Sequence, residues 1–556
     1  MTEVHPEAVH GPADASAPEG APRYDTIVAG AGVAGLTVAH ELAGRGYRVL
    51  VLEASARLGG VASPLELDGL VLDAGAESFA TRGGAVAELA TELGLGDEIV
   101  SPNPAGAWLQ LPGRAAPLPR ATLLGIPSVP LAKDVIAVLG WGGALRAYAD
   151  RLMPVLRIGS FDALGPLVRR RMGQKVLDRL VAPLAGGVYS ADTDLLDIAT
   201  VAPGLNNALT QAGSLSGAVA VVLEERAAGA ATGRAGSAVQ GIRGGIHRLT
   251  AALAARAALH RAELRTGVRV ESAAKTDTGW LVTTDAGSVA ASSLVVALPE
   301  REARRVLADV DGFAPPPFAH SRDAQPLRDP EGEAGVTVEL VTLVFPPGAI
   351  EGDPRGTGVL VAADATGVQA KAMTHSTAKW PWLREAAAGR EVVRLSYGSG
   401  IAAPATEGLD DAAAAELALA DARAILGLDL PQPVASARVR WEQGQPSSIV
   451  GARARQQALR DAAAPHDTLL IVGAAVAGTG LAQVVPDARR ASLEIRRERF
   501  AVPGTPWTTD LDAETSAHDA LEASAEPHAS PAPGAADPDH DRTAGASSAE
   551  EPRGDA

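Results

Sequence analysis

An α/β fold organised on a parallel sheet is what the sequence predicts, and three observations carry that expectation. Tyr24-Asp25-Thr26-Ile27-Val28-Ala29 is a short run of strand character that stops at Gly30, as a buried strand bounded by glycine does. A helical pattern from Val33 to Ala43 follows, and after Gly44 and Gly46 comes a second strand, Arg48 to Leu52, which completes a βαβ unit. The same order of strand, glycine-rich turn and helix returns near the end, from Thr468 to Val472 and then Val485 to Arg499.

Between these two units the pattern changes by block. Leu123 to Leu223 is mostly helical in character, punctuated by Pro130, Pro154, Pro166 and Pro183. Strands are expected from Leu264 to Val270, Trp280 to Thr284 and Leu294 to Ala297, with a turn at Asp285-Ala286-Gly287. A second β-rich block covers Val336 to Phe345, Gly358 to Ala362 and Val392 to Tyr397, followed by helix Asp411 to Leu426 and strand Ala437 to Trp441. The Pro-rich, charged stretch Phe318 to Glu333 is expected to be an inserted surface loop. No internal repeat of solenoid period is present.

Composition narrows the function classes. At 556 residues the chain calls for roughly two to four structural units. The net charge of -17 is concentrated at the end: Asp510 to Asp555 holds 12 acidic residues against Arg542 and Arg553, so the remainder is only mildly acidic and nucleic-acid binding is not expected. Beyond Pro503 few apolar side chains exceed alanine, too little to offset ordering entropy, and residues 503–556, like 1–22, are expected to be disordered. With no cysteine, disulfides, thiolate nucleophiles and Fe–S clusters are excluded, and redox chemistry must belong to a bound cofactor. Met1 to Pro22 lacks the basic and apolar regions of a secretory signal, and no apolar run reaches the roughly 18 residues of a membrane span. A cytoplasmic location is expected.

Gly30-Ala31-Gly32-Val33-Ala34-Gly35 follows a strand and opens a helix, the context in which GxGxxG acquires physical meaning. Gly30 permits the tight turn, Gly32 lets a pyrophosphate approach the backbone, and Gly35 lets helix and strand pack closely. The free N–H groups of the helix start, at Val33 and Ala34, face the phosphates. Glu53, 18 residues past Gly35, is placed to accept hydrogen bonds from ribose hydroxyls.

Glu53-Ala54-Ser55-Ala56-Arg57-Leu58-Gly59-Gly60 resembles the extended ExxxRxGG signature of GR2-type flavoproteins, which implies noncovalent FAD rather than NAD. On that resemblance Arg57 approaches the pyrophosphate and Gly59-Gly60 runs beneath the isoalloxazine. Gly473 to Leu481, including Thr479 and Gly480, is expected to aim backbone N–H groups and a helix dipole at the electron-rich edge of the flavin. The fold expected is therefore a GR2-type FAD-binding Rossmann-like domain, assembled from 23–100, 235–305 and 450–500. A helical subdomain facing substrate and membrane, 101–234, and a β-rich substrate domain, 306–449, complete it.

Four further segments resemble the flavin-containing protoporphyrinogen and coproporphyrinogen oxidase family. Leu72-Asp73-Ala74-Gly75-Ala76-Glu77-Ser78-Phe79 is similar to the segment after the first flavin motif, and Gly75, Ala76, Glu77 and Ser78 are its cofactor-side candidates. Leu180 to Asp192 is similar to the PLxGGVYAGD motif, Thr374 to Pro381 to TxSSxKWP, and Gly478-Thr479-Gly480-Leu481 with Val485-Pro486-Asp487 to the closing motif of actinobacterial coproporphyrinogen III oxidases. The resemblance spans Tyr24 to Phe500. It departs from the family pattern where Trp441 leads to Gly451-Ala452-Arg453 in place of Gly-His, and where Ala474-Ala475 stands for an aromatic residue.

The resemblance implies six-electron oxidation of a porphyrinogen to a porphyrin in haem biosynthesis, in three cycles, with hydride passing to FAD and oxygen reoxidising it to yield hydrogen peroxide. It favours coproporphyrinogen III, leaving protoporphyrinogen IX, an amine or carotenoid substrate, or a noncatalytic flavin-binding role as alternatives. It leaves open peripheral membrane contact and handover of product to a ferrochelatase. Four propionates on coproporphyrinogen call for cationic partners; the candidates are Arg82, four residues after Ser78, and Lys379, beside Trp380. Val268 resembles the residue whose backbone contacts adenine in this superfamily. His247 fits the start of a helix better than a general base. Arg169, Arg170, Arg171, Lys175 and Arg179 are either a solvated helix face or a surface for anionic lipid.

Overall fold

The computed structural model describes residues 23–153, 162–230, 239–313, 336–398, 403–443 and 448–500. The expected terminal tails and the expected loop from Phe318 to Glu333 lie outside these residues. Two seven-stranded sheets dominate what is described.

Strand Arg23–Ala29 lies at the centre of the first sheet, parallel to Val49–Glu53 on one side and Gly287–Val296 on the other. Glu263–Thr266 extends it in parallel beyond Val49–Glu53. Leu469–Ile471 pairs in parallel with the end of Gly287–Val296, which brings the final unit of the chain against the first. Alternation sends Val28, Val49, Val51 and Val295 to one core and Ile27, Ala29, Leu50, Leu52 and Leu294 to the other. Both faces are covered, so these strands are continuous apolar runs rather than alternating ones. Helices Val33–Ala43, His247–Leu259 and Leu481–Phe500 supply the first of those cores.

The second sheet runs in the order Ala435–Gln443, Val336–Phe345, Glu391–Tyr397, Ala372–His375, Gly358–Val361, Ala107–Leu111, Arg114–Pro117. Helix Asp411–Leu426 packs Ala418, Leu419, Ala422 and Ile425 on one face. Two strands of this sheet come from the stretch expected to be helical subdomain. Residues 107–117 cross into it because Ala107–Leu111 pairs in parallel with Gly358–Val361, a long-range pairing with no local signal. The helices from Lys133 to Ala230 otherwise form their own core. One of them, Lys133–Tyr148, breaks at Gly140, whose φ of 70° is non-helical, and re-aims its second half.

Candidate active site

The first glycine turn assembles as its residue types demand. Gly30 has φ +102°, and a Cβ there would stand 2.6 Å from the carbonyl oxygen of Ala297. A Cβ on Gly35 would stand 2.0 Å from the carbonyl oxygen of Gly30, whereas one on Gly32 would meet nothing within 4 Å. Gly30 and Gly35 are thus demanded by the protein's own packing. Gly32 instead opens the backbone to space outside the helix. No side chain caps the start of helix Val33–Ala43, so its first N–H groups are left for an anion.

Glu53 closes the other side. Its carboxylate accepts the Ala31 N–H at 2.9 Å through Oε2 and the Ser55 N–H at 2.9 Å through Oε1, with lone pairs remaining for two hydroxyls. Val268 donates its N–H to the Glu53 carbonyl at 2.9 Å, and Gly267 donates to Ser55 at 2.8 Å, which sets Val268 beside the ribose-side acid. Gly59 donates to the Ala31 carbonyl at 2.8 Å and bridges Gly32, so the two early motifs are joined directly. Ala54 and Arg57 are exposed at this edge, with the Arg57 side chain unpaired among the described residues.

The distant turn reaches the same place. A Cβ on Gly473 would lie 3.1 Å from Cβ of Ala34, and Val484 and Val485 share a core with Val33 and Ala34. Thr479 and Gly480 are exposed, and Leu481 begins the long final helix. Gly473 donates its N–H to Asp487 at 3.1 Å, and Asp487 is also held by Arg460 at 2.7 Å and Arg490 at 2.9 Å.

Segment 73–78 is clamped between the sheets. Ala74 and Ala76 donate to the Ser63 and Val61 carbonyls, continuing from Gly60. Arg394 donates to the carbonyls of Asp73 at 3.2 Å and Gly75 at 3.0 Å and pairs with Glu77 at 3.1 Å. Lys379 meets the other Glu77 oxygen at 3.2 Å, and Ser376 donates to the first at 3.1 Å. Burial opposes ionisation of Glu77, but Arg394, Lys379 and the Ser376 hydroxyl outweigh it and hold its carboxyl below the ordinary value. The Trp441 indole donates to the Ala74 carbonyl at 3.1 Å, and Asp73 accepts the Ile246 and His247 N–H groups while facing the His247 ring at 2.9 Å. His247 is the first residue of its helix, in a packing position.

The substrate candidates separate. Lys379 is engaged by Glu77, and Trp380 is 3% exposed among Leu70, Leu72, Val344 and Val392, so that ring faces core and not a ligand. Arg82 is exposed and has no ion-pair partner among the described residues. Of the five cations considered for lipid, Arg171 is buried against Asp150, Arg169 pairs with Asp194 and Arg179 with Asp364, so most of that charge faces carboxylates. Arg394 was not singled out from the sequence, and Ser376 and Asp487 stood there only as members of the family-like segments, with no role assigned. The signal for Arg394 was a lone charge inside the apolar run Val392-Val393-Arg394-Leu395.

A sheet whose parallel strands carry two glycine turns and an acid at one edge defines an FAD-dependent oxidoreductase, and the chain belongs to the flavin containing amine oxidoreductase family, whose model matches residues 33–495. Its relatives include the coproporphyrinogen III oxidase of Mycobacterium tuberculosis, 30% identical over 470 residues that cover 84% of this chain and 95% of that protein. The coproporphyrinogen III oxidase of Bacillus subtilis is 22% identical over 473 residues, covering 84% and 96%. Among solved structures, a protein of Exiguobacterium sp. 255-15 bearing a protoporphyrinogen oxidase name has a TM-score of 0.71 at 24% identity, covering 86% and 99% of the two chains; that likeness shows the fold. FAD is the cofactor, and the open cradle at Gly32 with the uncapped helix start fits it.

Proposed function

We propose that this protein catalyses the oxygen-dependent oxidation of coproporphyrinogen III to coproporphyrin III, releasing hydrogen peroxide. The observation that carries the flavoenzyme reading is the packing of Gly473 on Ala34, by which two turns about 440 residues apart in sequence address one dinucleotide. The substrate rests on the near full-length similarity to the mycobacterial coproporphyrinogen III oxidase. Bound FAD supplies two-electron acceptance and reoxidation by oxygen, so the protein has to bind, orient and exclude.

Glu53 takes the ribose hydroxyls, Gly32 with Val33 and Ala34 the pyrophosphate, Arg57 its charge, and Val268 the adenine side. Gly59-Gly60 and the segment Gly75 to Ser78 would line the ring side, and the turn Thr479-Gly480, in which Gly480 donates its N–H to the Gly478 carbonyl at 3.2 Å, would bring the start of the helix at Leu481 to its far edge. Arg394 and Lys379 act through Glu77 as positioning residues that fix segment 73–78. Arg82 faces the substrate. The pyrroles already activate the carbon–hydrogen bonds, so orientation against the flavin is the main demand.

Peripheral contact with an anionic membrane surface belongs to this reading, on residues other than those first considered. Trp141, Leu145, Tyr148 and Leu152 form an exposed ridge at helical spacing, with Leu152 83% and Trp141 66% exposed. Arg146 and Arg151 flank it, the latter over the Tyr148 ring. Handover of product to a ferrochelatase rests on the family resemblance alone. No described helix is long and apolar enough to cross a membrane.

Flavin-replete protein incubated in air with coproporphyrinogen III is expected to develop porphyrin fluorescence with about three peroxides per porphyrin, the six electrons leaving in pairs. Fluorescence only with protoporphyrinogen IX would transfer the assignment to that substrate. None with either would leave a flavin-binding protein without this activity.

A further inference from the structure

Segment 73–78 is held through Glu77, and Glu77 in turn by Arg394, Ser376 and Lys379. The last two stand on Ser376–Lys379, a helix of four residues that is far too short to keep its shape unaided. A second carboxylate, on the neighbouring strand Glu391–Tyr397, grips it from the other side. Oε2 of Glu391 faces Nε2 of His375 at 2.8 Å and also accepts the Thr377 hydroxyl. An ionised carboxylate only accepts hydrogen bonds, so the shared proton of the first contact belongs to the imidazole. The Thr377 hydroxyl accepts the Val392 N–H at 3.2 Å, and the backbone N–H of His375 is donated to Thr357 at 3.1 Å. Residues 375 and 377 are thus tied to Glu391, while 376 and 379 are tied to Glu77.

His375, Thr377 and Glu391 are all buried, and no arginine or lysine pairs with Glu391 among the described residues. A buried carboxylate held by an imidazole and a hydroxyl becomes costly as soon as either is withdrawn. The cluster therefore resists any shift of the short helix. That stiffness is needed on the Glu77 side, where a cavity of about 20 Å³ is lined by Asp73, Glu77, Ser376, Trp382 and Arg394 among others. The chain is not close-packed at that point, so hydrogen bonds rather than core contacts fix the segment. His375 stands at the open second position of the TxSSxKWP-like segment, which makes the ring a feature of this chain and not of the motif.

Resting on the reading that Gly75 to Ser78 lie on the flavin side, we propose that His375, Thr377 and Glu391 are positioning residues for the cofactor: they fix Ser376 and Lys379, through these Glu77, and so the backbone that meets FAD. Full-length, flavin-replete protein is examined by hydrogen exchange at saturating FAD and by the flavin fluorescence released on dilution. His375→Leu is expected to speed exchange in peptides spanning 73–79 about tenfold and to weaken FAD binding roughly tenfold. His375→Gln, which keeps an N–H toward Glu391, is expected to restore most of both. Adding Glu77→Gln to His375→Leu is expected to cost about tenfold in all rather than a hundredfold, because both changes break one linkage; independent structural damage would multiply. Unchanged exchange across 73–79, or fully multiplicative losses of FAD affinity, overturns the proposal. Faster exchange with FAD affinity unchanged would support the linkage to Glu77 and remove the segment from the flavin side. If His375→Leu fails to fold, Thr377→Val, which removes only the hydroxyl from the same cluster, is read by the same two measurements.

Discussion

Gly32 and Gly35 are three residues apart and answer to different neighbours. Gly35 faces the protein, where a methyl group would enter the carbonyl of Gly30; Gly32 faces open space with φ −74°, a conformation any residue adopts. Gly35→Ala is therefore expected to destabilise the fold by roughly 1–3 kcal/mol, visible as a lower Tm even without flavin. Gly32→Ala is expected to leave the Tm of apoprotein within about 1 °C, since a surface change of this kind costs little, while weakening FAD binding at least tenfold by titration. Equal behaviour of the two variants would refute the division of roles. Glu53→Gln keeps the shape but trades one acceptor oxygen for a donor, so FAD affinity is expected to fall about tenfold, one charged hydrogen bond's worth.

At the scale of elements, the clamp on segment 73–78 ties a loop of the first sheet to a strand of the second. Removing one cation leaves Glu77 buried with half its compensation. Arg394→Met is expected to cost about 3 kcal/mol in denaturant unfolding and to release flavin more readily, since Arg394 also holds the Asp73 and Gly75 carbonyls. The pH dependence has a definite sign. The native carboxyl of Glu77 titrates below its ordinary value of 4.5, so its contribution is complete above that value and disappears as pH falls through the depressed one. The Tm gap between wild type and Glu77→Gln is expected to hold from neutral pH to about 5 and to close in stronger acid; a gap independent of pH down to 3 would contradict it.

For the whole molecule, the ridge Trp141, Leu145, Tyr148 and Leu152 is an exposed apolar line on the helical part, and the break at Gly140 sets its direction. Replacing Trp141, Leu145 and Leu152 by Ser is expected to abolish co-sedimentation with vesicles containing about a third anionic lipid while leaving porphyrinogen turnover in solution unchanged. Retained sedimentation would remove membrane contact from the proposed function. The positions of the two sheets explain why some parts were legible early. Strand Val336–Phe345 and helices Val33–Ala43 and Asp411–Leu426 stand at the bounds expected from their patterns, because each has an apolar run or stripe closed by turn residues. The strands at 107–117 were missed, since their partner is 250 residues away and neither run is long. Lys379 was legible as a cation but not as a partner of Glu77, and Arg394 was visible only as a charge in an apolar strand.

The local signals of the chain, meaning glycine at turns, an acid at the end of the second strand and apolar runs of strand length, determined the nucleotide fold, because backbone sterics and hydrophobic periodicity act over a few residues, and the resemblance of Glu53 to Gly60 to a flavoprotein signature pointed to the cofactor. Tertiary structure alone decided which charges are already compensated: Lys379 and Arg394 close on Glu77, while the ammonium of Lys371 meets the Ser190 hydroxyl. Electrostatic pairing depends on distance through space, and no spacing along the chain encodes it.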